Sequence, residues 1–315
     1  MPPAARSLIS IDDLTDDELP ALAARAAEFS AGHAARPLEG RIVGTYFAKT
    51  STRTRTAFSA GALRLGAGLV AYGPDDLQIN TGESVEDTGR VFAEMLDVIV
   101  ARTAGDPAVM RGWAVDGRLA VVNAMSADEH PTQAIADLTT LQRRFGRLRD
   151  LRILYVGEGN NTAASLALAL SRLPDVELEL RTPHGYGLAA DILARAQAQC
   201  EKTGSRVVER HDMHDVPPGF EVIYTTRWQT TGTSKADPDW REVFAPFQVR
   251  RQMWETSPEA LFMHDLPAHR GDEVTAEVLD GPMSIAFEQA ANKMYSAMAV
   301  LEWSRPDASG EGRAR

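Results

Sequence analysis

The stretch FAKTSTRTRTAFSAG, residues 47–61, gathers Lys49, Arg53 and Arg55 among the hydroxyls of Ser51, Thr52 and Thr54. No Asp or Glu occurs between Gly40 and Pro74, although the whole chain carries a net charge of −11. A helix opening near Ser51 or Thr52 would present free backbone N–H groups and the positive end of its dipole. Arg53 adds a fork that grips two oxygens at once. Those are the parts of a phosphate site. The same residues also read as an N-cap followed by a solvated basic helix face, since Ser and Thr are common caps.

Three further polar clusters fall at the ends of apolar runs: ARTAG after 97–102, SADEHPTQ after 119–125 and HDLPAHRG at the end of 260–266. In open α/β sheets ligands sit beyond the carboxyl ends of the strands. The clusters therefore describe one site assembled from several loops, and they hold Arg102, His130, Gln133 and Asp265. Each has a plainer reading. Arg102 could end a strand in solvent. His130 could cap a helix that starts at Pro131. Gln133 could lie on a surface, and Asp265 could cap a strand end.

The elements that must position these groups alternate. Expected strands are 41–47, 68–73, 97–102, 119–125, 151–157, 176–182, 206–211, 221–226, 260–266 and 283–288. Several are nearly continuous apolar runs, the mark of parallel strands buried on both faces. Amphipathic helices are expected at Asp12–Phe29, Thr54–Leu65, Ser84–Leu96, Thr132–Arg144, Thr162–Leu173 and Leu188–Lys202. This alternation predicts an α/β fold of two domains, each a parallel β-sheet flanked by helices, with the active site in the interdomain cleft. The polar segment RRFGRLRD, residues 143–150, marks the boundary. The expected division is a first domain over 1–145 and a second over 146–288. A C-terminal helix over 289–304 packs back on the first domain, and a Gly-, Ser- and charge-rich tail over 305–315 is expected to be disordered.

Length and composition fit this picture. A chain of 315 residues suggests about two domains. The acidic balance argues against broad nucleic-acid or anionic-membrane binding. No run approaches the ~20 apolar residues of a membrane span, so a cytoplasmic protein is expected. The single cysteine, Cys200, lies in a helical pattern and reads as a packing residue. No Cys/His cluster has zinc spacing, and no metal or cofactor is expected. GEGNN, residues 157–161, follows a strand but is not GxGxxG, which leaves a nicotinamide-dependent oxidoreductase poorly supported.

STRTR after Phe-x-Lys, then HPTQAIADL, then MHDLPAHRGDEV, in that order, resembles the aspartate/ornithine carbamoyltransferases, from about residue 40 to residue 303. The resemblance implies carbamoyl phosphate as donor, a small amino acid as acceptor, and a homotrimer with active sites shared at subunit boundaries. It makes 1–145 the carbamoyl phosphate-binding domain and 146–288 the acceptor-binding domain. It implies that Ser51, Thr52, Arg53 and Thr54 bind the phosphate. Arg102, His130 and Thr54 would surround the carbonyl oxygen, and Gln133 would accept from the carbamoyl NH₂. Gln78, which also reads as loop filler, would reach the neighbouring subunit's phosphate. The family's QAENR is QAANK here, so Lys293 stands for an arginine in the carbamoyl phosphate set and lacks its fork. Asp137 would support the site without touching substrate.

The acceptor half departs from both branches of the family. Ornithine enzymes carry a pattern like Asp-x-Trp-x-Ser-Met-Gly where this chain has Thr226-Arg-Trp-Gln-Thr-Thr-Gly232. Arg227 and Gln229 are instead similar to the Thr-Arg-x-Gln of aspartate enzymes, which holds carboxylates. HCLP or HPLP is His264-Asp265-Leu266-Pro267 here, which puts Asp265 and Leu266 in the acceptor set. Asn160 and Asn161 match residues that grip the ornithine carboxylate and amine region. The expected acceptor is a diamino acid shorter than ornithine, such as 2,3-diaminopropionate, held between Arg227 and Asp265, giving a ureido amino acid and phosphate. Ornithine or aspartate as acceptor, and a non-catalytic ligand-binding homologue, are the alternatives. The polar segment Thr231–Asp239 is expected to be a mobile lid.

Overall fold

The computed structural model describes residues 5–33, 36–114, 117–230 and 233–305. A 3₁₀ turn (Ile11–Asp13) leads into α1 (Glu18–Ser30), β1 (Ile42–Phe47), α2 (Arg53–Arg64), β2 (Gly68–Tyr72), α3 (Val85–Met95), β3 (Val98–Arg102), α4 (Ala108–Trp113), β4 (Ala120–Asn123) and α5 (Pro131–Phe145). The second half runs β5 (Arg152–Val156), α6 (Asn161–Leu170), β6 (Glu177–Arg181), α7 (Ala190–Thr203), β7 (Arg206–Arg210), β8 (Val222–Thr225), α8 (Trp240–Phe244), β9 (Leu261–His264), α9 (Ala276–Leu279) and α10 (Ala286–Ser304).

The strands form two parallel sheets, ordered β2-β1-β3-β4 and β7-β6-β5-β8-β9. In the first sheet the chain reverses its direction of growth between β1 and β3, and in the second between β5 and β8. Such switch points open a crevice at the carboxyl ends of the strands. Every position of β3 and of β8 is buried, which is why both read as apolar runs. Among the described residues, no helix is long and apolar enough to cross a membrane.

Helix α5 is buried on all sides from Pro131 to Leu141. Pro131 starts it, and Gly146, in the left-handed conformation at φ 68°, ends it with its N–H bonded to the Gln142 carbonyl. Helix α10 packs against α1, α2 and α5. One apolar cluster runs through both sheets, from Val43 and Val98 by way of Ala134, Leu138 and Met298 to Ile153 and Tyr155.

Two expected elements are corrected. The run 283–288 is not a strand. Ser284 makes an isolated bridge to Phe262, and α10 begins at Ala286. Six residues of apolar alternation could not compete with the strong helix formers that follow. The helix expected over Asp12–Phe29 is broken. Ser10 and Asp13 close a capping box around the 3₁₀ turn, and Thr15 and Glu18 then bond reciprocally before α1. The tail expected over 305–315 lies outside the described residues from 306 onward.

Candidate active site

Both switch points face a common cavity of about 370 Å³. The first sheet contributes Thr50, Ser51, Thr52, Arg53 and Thr54 after β1, and Arg102 at the end of β3. His130, at the N-cap position of α5, joins them. The second sheet contributes Asn160, Asn161 and Thr162 after β5, Thr226, Arg227, Gln229 and Thr230 after β8, and Asp265, Leu266 and Pro267 after β9. Lys293 enters from α10.

Helix α2 opens at Thr52 with no side-chain cap, so its first N–H groups keep no intrahelical partner. Arg102 is buried, and its Nη1 lies 3.5 Å from Thr54 Oγ1. The Nε groups of Arg53, Arg102 and Arg227 are all buried without a hydrogen-bond partner among the described residues. Burying an unpaired donor costs ~1–3 kcal/mol, and more when it is charged. Three such guanidiniums at one cavity make a strong anion receptor.

The charges bear on one another. Burial draws Arg102 down to about 10, with Arg53 pushing the same way and Asp265 opposing. Burial likewise lowers Arg53, against the pull of Asp265. Lys293, whose Nζ lies 3.4 Å from the Asp265 carbonyl, is lowered to about 8 by burial, with Arg53 and Arg102 adding to it and Asp265 opposing. Burial, Arg102 and Lys293 hold His130 well below its ordinary value, so it is a neutral imidazole near pH 7. Among the described residues, Asp265 is the single carboxylate lining the cavity, with the cations Arg53, Arg102, Arg227 and Lys293 also in its wall. Its Oδ1 accepts from Thr226 Oγ1 at 2.8 Å and its Oδ2 from Thr162 Oγ1 at 3.0 Å.

Most sequence-predicted residues thus converge, and four of the basic and amide groups do not line the cavity. Lys49 and Arg55 are exposed and lie outside the cavity, and Arg55 stacks over the Phe47 ring at 4.9 Å. Successive helical residues point in different directions, so of the three cations in the opening stretch only Arg53 faces inward. Gln78 sits exposed in the 3₁₀ turn Gln78–Thr81, where its Oε1 accepts from Thr81 Oγ1. Gln133 is buried and does not line the cavity. Its Nε2 donates to Asp137 Oδ1 at 2.7 Å, and its Oε1 has no partner among the described residues.

Asn160 caps α6, its Oδ1 accepting from the N–H groups of Thr162 and Ala163, while its Nδ2 donates to Thr230 Oγ1 at 3.1 Å. Asn161 Nδ2 donates to the Ser126 carbonyl, which ties the two halves together. The glycines of GEGNN have a packing role. Gly157 lies at φ 130°, and a Cβ on Gly159 would come within 2.3 Å of the 187–188 backbone. Sequence reasoning missed Thr162, which is part of Asp265's clamp, and Lys235. The Lys235 ammonium pairs with Glu158 and lies 4.6 Å from the ring centroids of Tyr186 and Phe244. The expected lid is described from 233 onward, and there Lys235 seats it in an aromatic cage; residues 231–232 lie outside the described ones.

The chain's relatives fit this geometry. Residues 6–143 match the family description "Aspartate/ornithine carbamoyltransferase, carbamoyl-P binding domain", and residues 149–304 match "Aspartate/ornithine carbamoyltransferase, Asp/Orn binding domain". An ornithine carbamoyltransferase of Symbiobacterium thermophilum is 38% identical over 303 residues, covering 94% of this chain and 96% of the relative. The solved ornithine carbamoyltransferase of Pyrococcus furiosus superposes with a TM-score of 0.88 at 34% identity, covering 96% of this chain and 97% of that one. That of Gloeobacter violaceus gives 0.84 at 31%, covering 96% and 99%.

Proposed function

This chain belongs to the aspartate/ornithine carbamoyltransferase family and is a carbamoyltransferase, and we propose that it carbamoylates a small diamino acid shorter than ornithine, such as 2,3-diaminopropionate. The observation that carries the acceptor reading is the pairing of Asp265, clamped by Thr162 and Thr226, with Arg227 in one cavity. Arg227 suits the acceptor's carboxylate through its fork. Asp265 suits the acceptor's second amino group, as an ion partner or as the base that takes a proton from the attacking amine. Arg227 is long, which favours a short acceptor.

On this reading the phosphoryl oxygens of carbamoyl phosphate lie against the first turn of α2, held by Ser51, Thr52, Thr54 and Arg53. Lys293 adds charge to that set. Arg102, neutral His130 and Thr54 Oγ1 surround the carbonyl oxygen, and Gln133 Oε1 accepts from the carbamoyl NH₂. The amine lone pair attacks the carbonyl carbon, a C–N bond forms, and the negative charge gathers on the carbonyl oxygen. The tetrahedral species then collapses, the C–O bond to phosphorus breaks, and phosphate leaves with the electron pair. The proton lost by nitrogen goes to Asp265 or to the departing phosphate. Losing one donor to such an oxyanion costs ~3 kcal/mol in comparable acyl-transfer sites, and holding both reactants together contributes on the order of 7 kcal/mol or more.

A second reading is ornithine itself. It is favoured by the names of the relatives and by Asn160 and Asn161 at the cavity wall. Incubating the purified enzyme with carbamoyl phosphate and a panel of ornithine, aspartate and shorter diamines and diamino acids, with phosphate release as readout, decides between them. Faster turnover of ornithine or aspartate than of every shorter acceptor removes the diaminopropionate proposal.

We propose further that the enzyme is a cytoplasmic homotrimer in which Gln78 completes a neighbour's site. Support comes from the first domain's surface, where Val70 on the edge strand β2 and Val91 and Met95 on α3 are exposed. These apolar side chains are open to a subunit contact.

A further inference from the structure

Three donors from three elements converge on one buried carboxylate. Gln133 Nε2 on α5 and Gln289 Nε2 on α10 each donate to Asp137 Oδ1 at 2.7 Å. Tyr224 OH on β8 donates to Oδ2 at 3.0 Å. Asp137 and Gln289 are fully buried, and Gln133 and Tyr224 very nearly so. The far end of each amide explains the orientation of the near end. Gln289 Oε1 accepts the His264 backbone N–H at 2.8 Å, which turns its nitrogen toward Asp137. A carboxylate only accepts, so Asp137 also draws the nitrogen of Gln133 inward. The carbonyl oxygen of Gln133 is thereby left buried and bare.

We infer that Asp137 is a positioning residue, which fixes the Gln133 amide so that its oxygen reads the NH₂ of carbamoyl phosphate and, through Gln289, ties that oxygen to the strand end that carries Asp265. This rests on the proposed role of Gln133. A side chain at 137 that donates as well as accepts would let the amide turn over, presenting NH₂ to NH₂. The link crosses between the sheets, since Gln133 belongs to the donor half, Tyr224 to β8 and the His264 N–H to β9. Recognition of the carbamoyl amide and placement of Asp265 then depend on one shared carboxylate.

Protonation of Asp137 would have the same effect as a donor side chain. Burial raises this group to about 7, with Asp265 pushing the same way and the bonds from Gln289, Gln133 and Tyr224 opposing. The titratable groups facing it are Asp265 after β9, Lys293 on α10, Tyr224 on β8 and Tyr155 on β5. Presentation of the bare oxygen is therefore complete above this range and fails as the pH falls through it.

Acetyl phosphate tests the inference without knowledge of the acceptor, because it keeps the phosphate and carbonyl and replaces NH₂ by CH₃. Dissociation constants for carbamoyl phosphate and acetyl phosphate are measured calorimetrically on the whole enzyme. The wild type is expected to favour carbamoyl phosphate about tenfold, the worth of one buried hydrogen bond. Gln133→Ala and Asp137→Asn should each bring that ratio close to one, and the double variant should lose no more. A structural role for Asp137 would weaken both ligands alike and leave the ratio standing, which overturns the inference while the Gln133 reading survives. Retained discrimination in Gln133→Ala instead defeats the Gln133 reading itself. Should Asp137→Asn not fold, Tyr224→Phe removes one bond that favours the carboxylate. The pH at which discrimination fades must then move upward, and an unmoved midpoint overturns the proposal.

Discussion

Thr226 Oγ1 donates to Asp265 Oδ1 across 2.8 Å, joining the first residue beyond β8 to the first beyond β9. Thr162 holds the other oxygen at 3.0 Å. One donor on each oxygen fixes the carboxylate's rotamer and leaves further lone pairs for an incoming amine. Asp265→Asn is therefore expected to raise the acceptor KM or lower kcat by about ten- to a hundredfold, the worth of a hydrogen bond to a charged group. Carbamoyl phosphate affinity should be spared, and Thr226→Val should show a weaker version of the same split. Steady-state kinetics with each substrate varied in turn check this, and unaltered kinetics would leave Asp265 as a strand-end cap.

Lys293 gives the donor side a pH dependence. Its folded value of about 8 lies below its ordinary 10.5, so between these the folded chain holds fewer protons than the unfolded one. Folding stability contributed by this group therefore rises with pH through that window. Binding runs the other way. A phosphate dianion beside Lys293 favours the ammonium, so carbamoyl phosphate binding should take up a proton and weaken as the pH rises above about 8. Calorimetry in buffers of different ionisation enthalpy measures that uptake, and Lys293→Arg should abolish it because guanidinium does not titrate there.

The Lys235 side chain is 4% exposed, pairs with Glu158, and stands among Tyr186, Trp240 and Phe244. Burial raises Glu158, and Lys235 is the main force holding it down. Lys235→Met leaves that carboxylate buried and unpaired, a loss of about 3 kcal/mol or more in comparable pairs. The deficit should narrow as the pH falls and Glu158 takes up a proton. Adding Glu158→Gln should restore much of it. Glu158 also accepts from Thr230 at the cavity wall, so the acceptor KM should rise with the single change. Urea unfolding at two pH values, beside kinetics, separates these effects.

Much of this arrangement was legible because parallel strands advertise themselves. The runs ending at Phe47, Arg102 and His264 are apolar enough to name as buried strands, and ligand groups follow strand ends. Direction around a helix was harder. The spacing of Lys49, Arg53 and Arg55 does not say which of them turns inward until α2 is docked. The run 283–288 failed because a short apolar segment looks alike in strand and helix. Thr162 and Tyr224 carried no signal, because each matters only through partners at least 65 residues away in the chain, and Gln289 matters through partners 25 to 152 residues away.

The proposed sharing of sites between subunits makes a prediction that one chain alone cannot satisfy. Gln78 is exposed and lies outside the cavity of its own chain, whereas Arg102 is buried within it. If Gln78 serves the next subunit, Gln78→Ala and Arg102→Ala disable the same site from opposite sides of the boundary. Each homotrimer should then be nearly inactive. Equal mixing followed by subunit exchange should recover about one quarter of wild-type turnover, since each intact site draws one half-chance from each partner. Charged substitutions at Val91 or Met95, on the exposed apolar face of α3, should dissociate the assembly and remove that recovery. Light scattering reports the assembly and phosphate release the activity. A mixture no more active than the mean of its parents would mean that each chain builds its site alone.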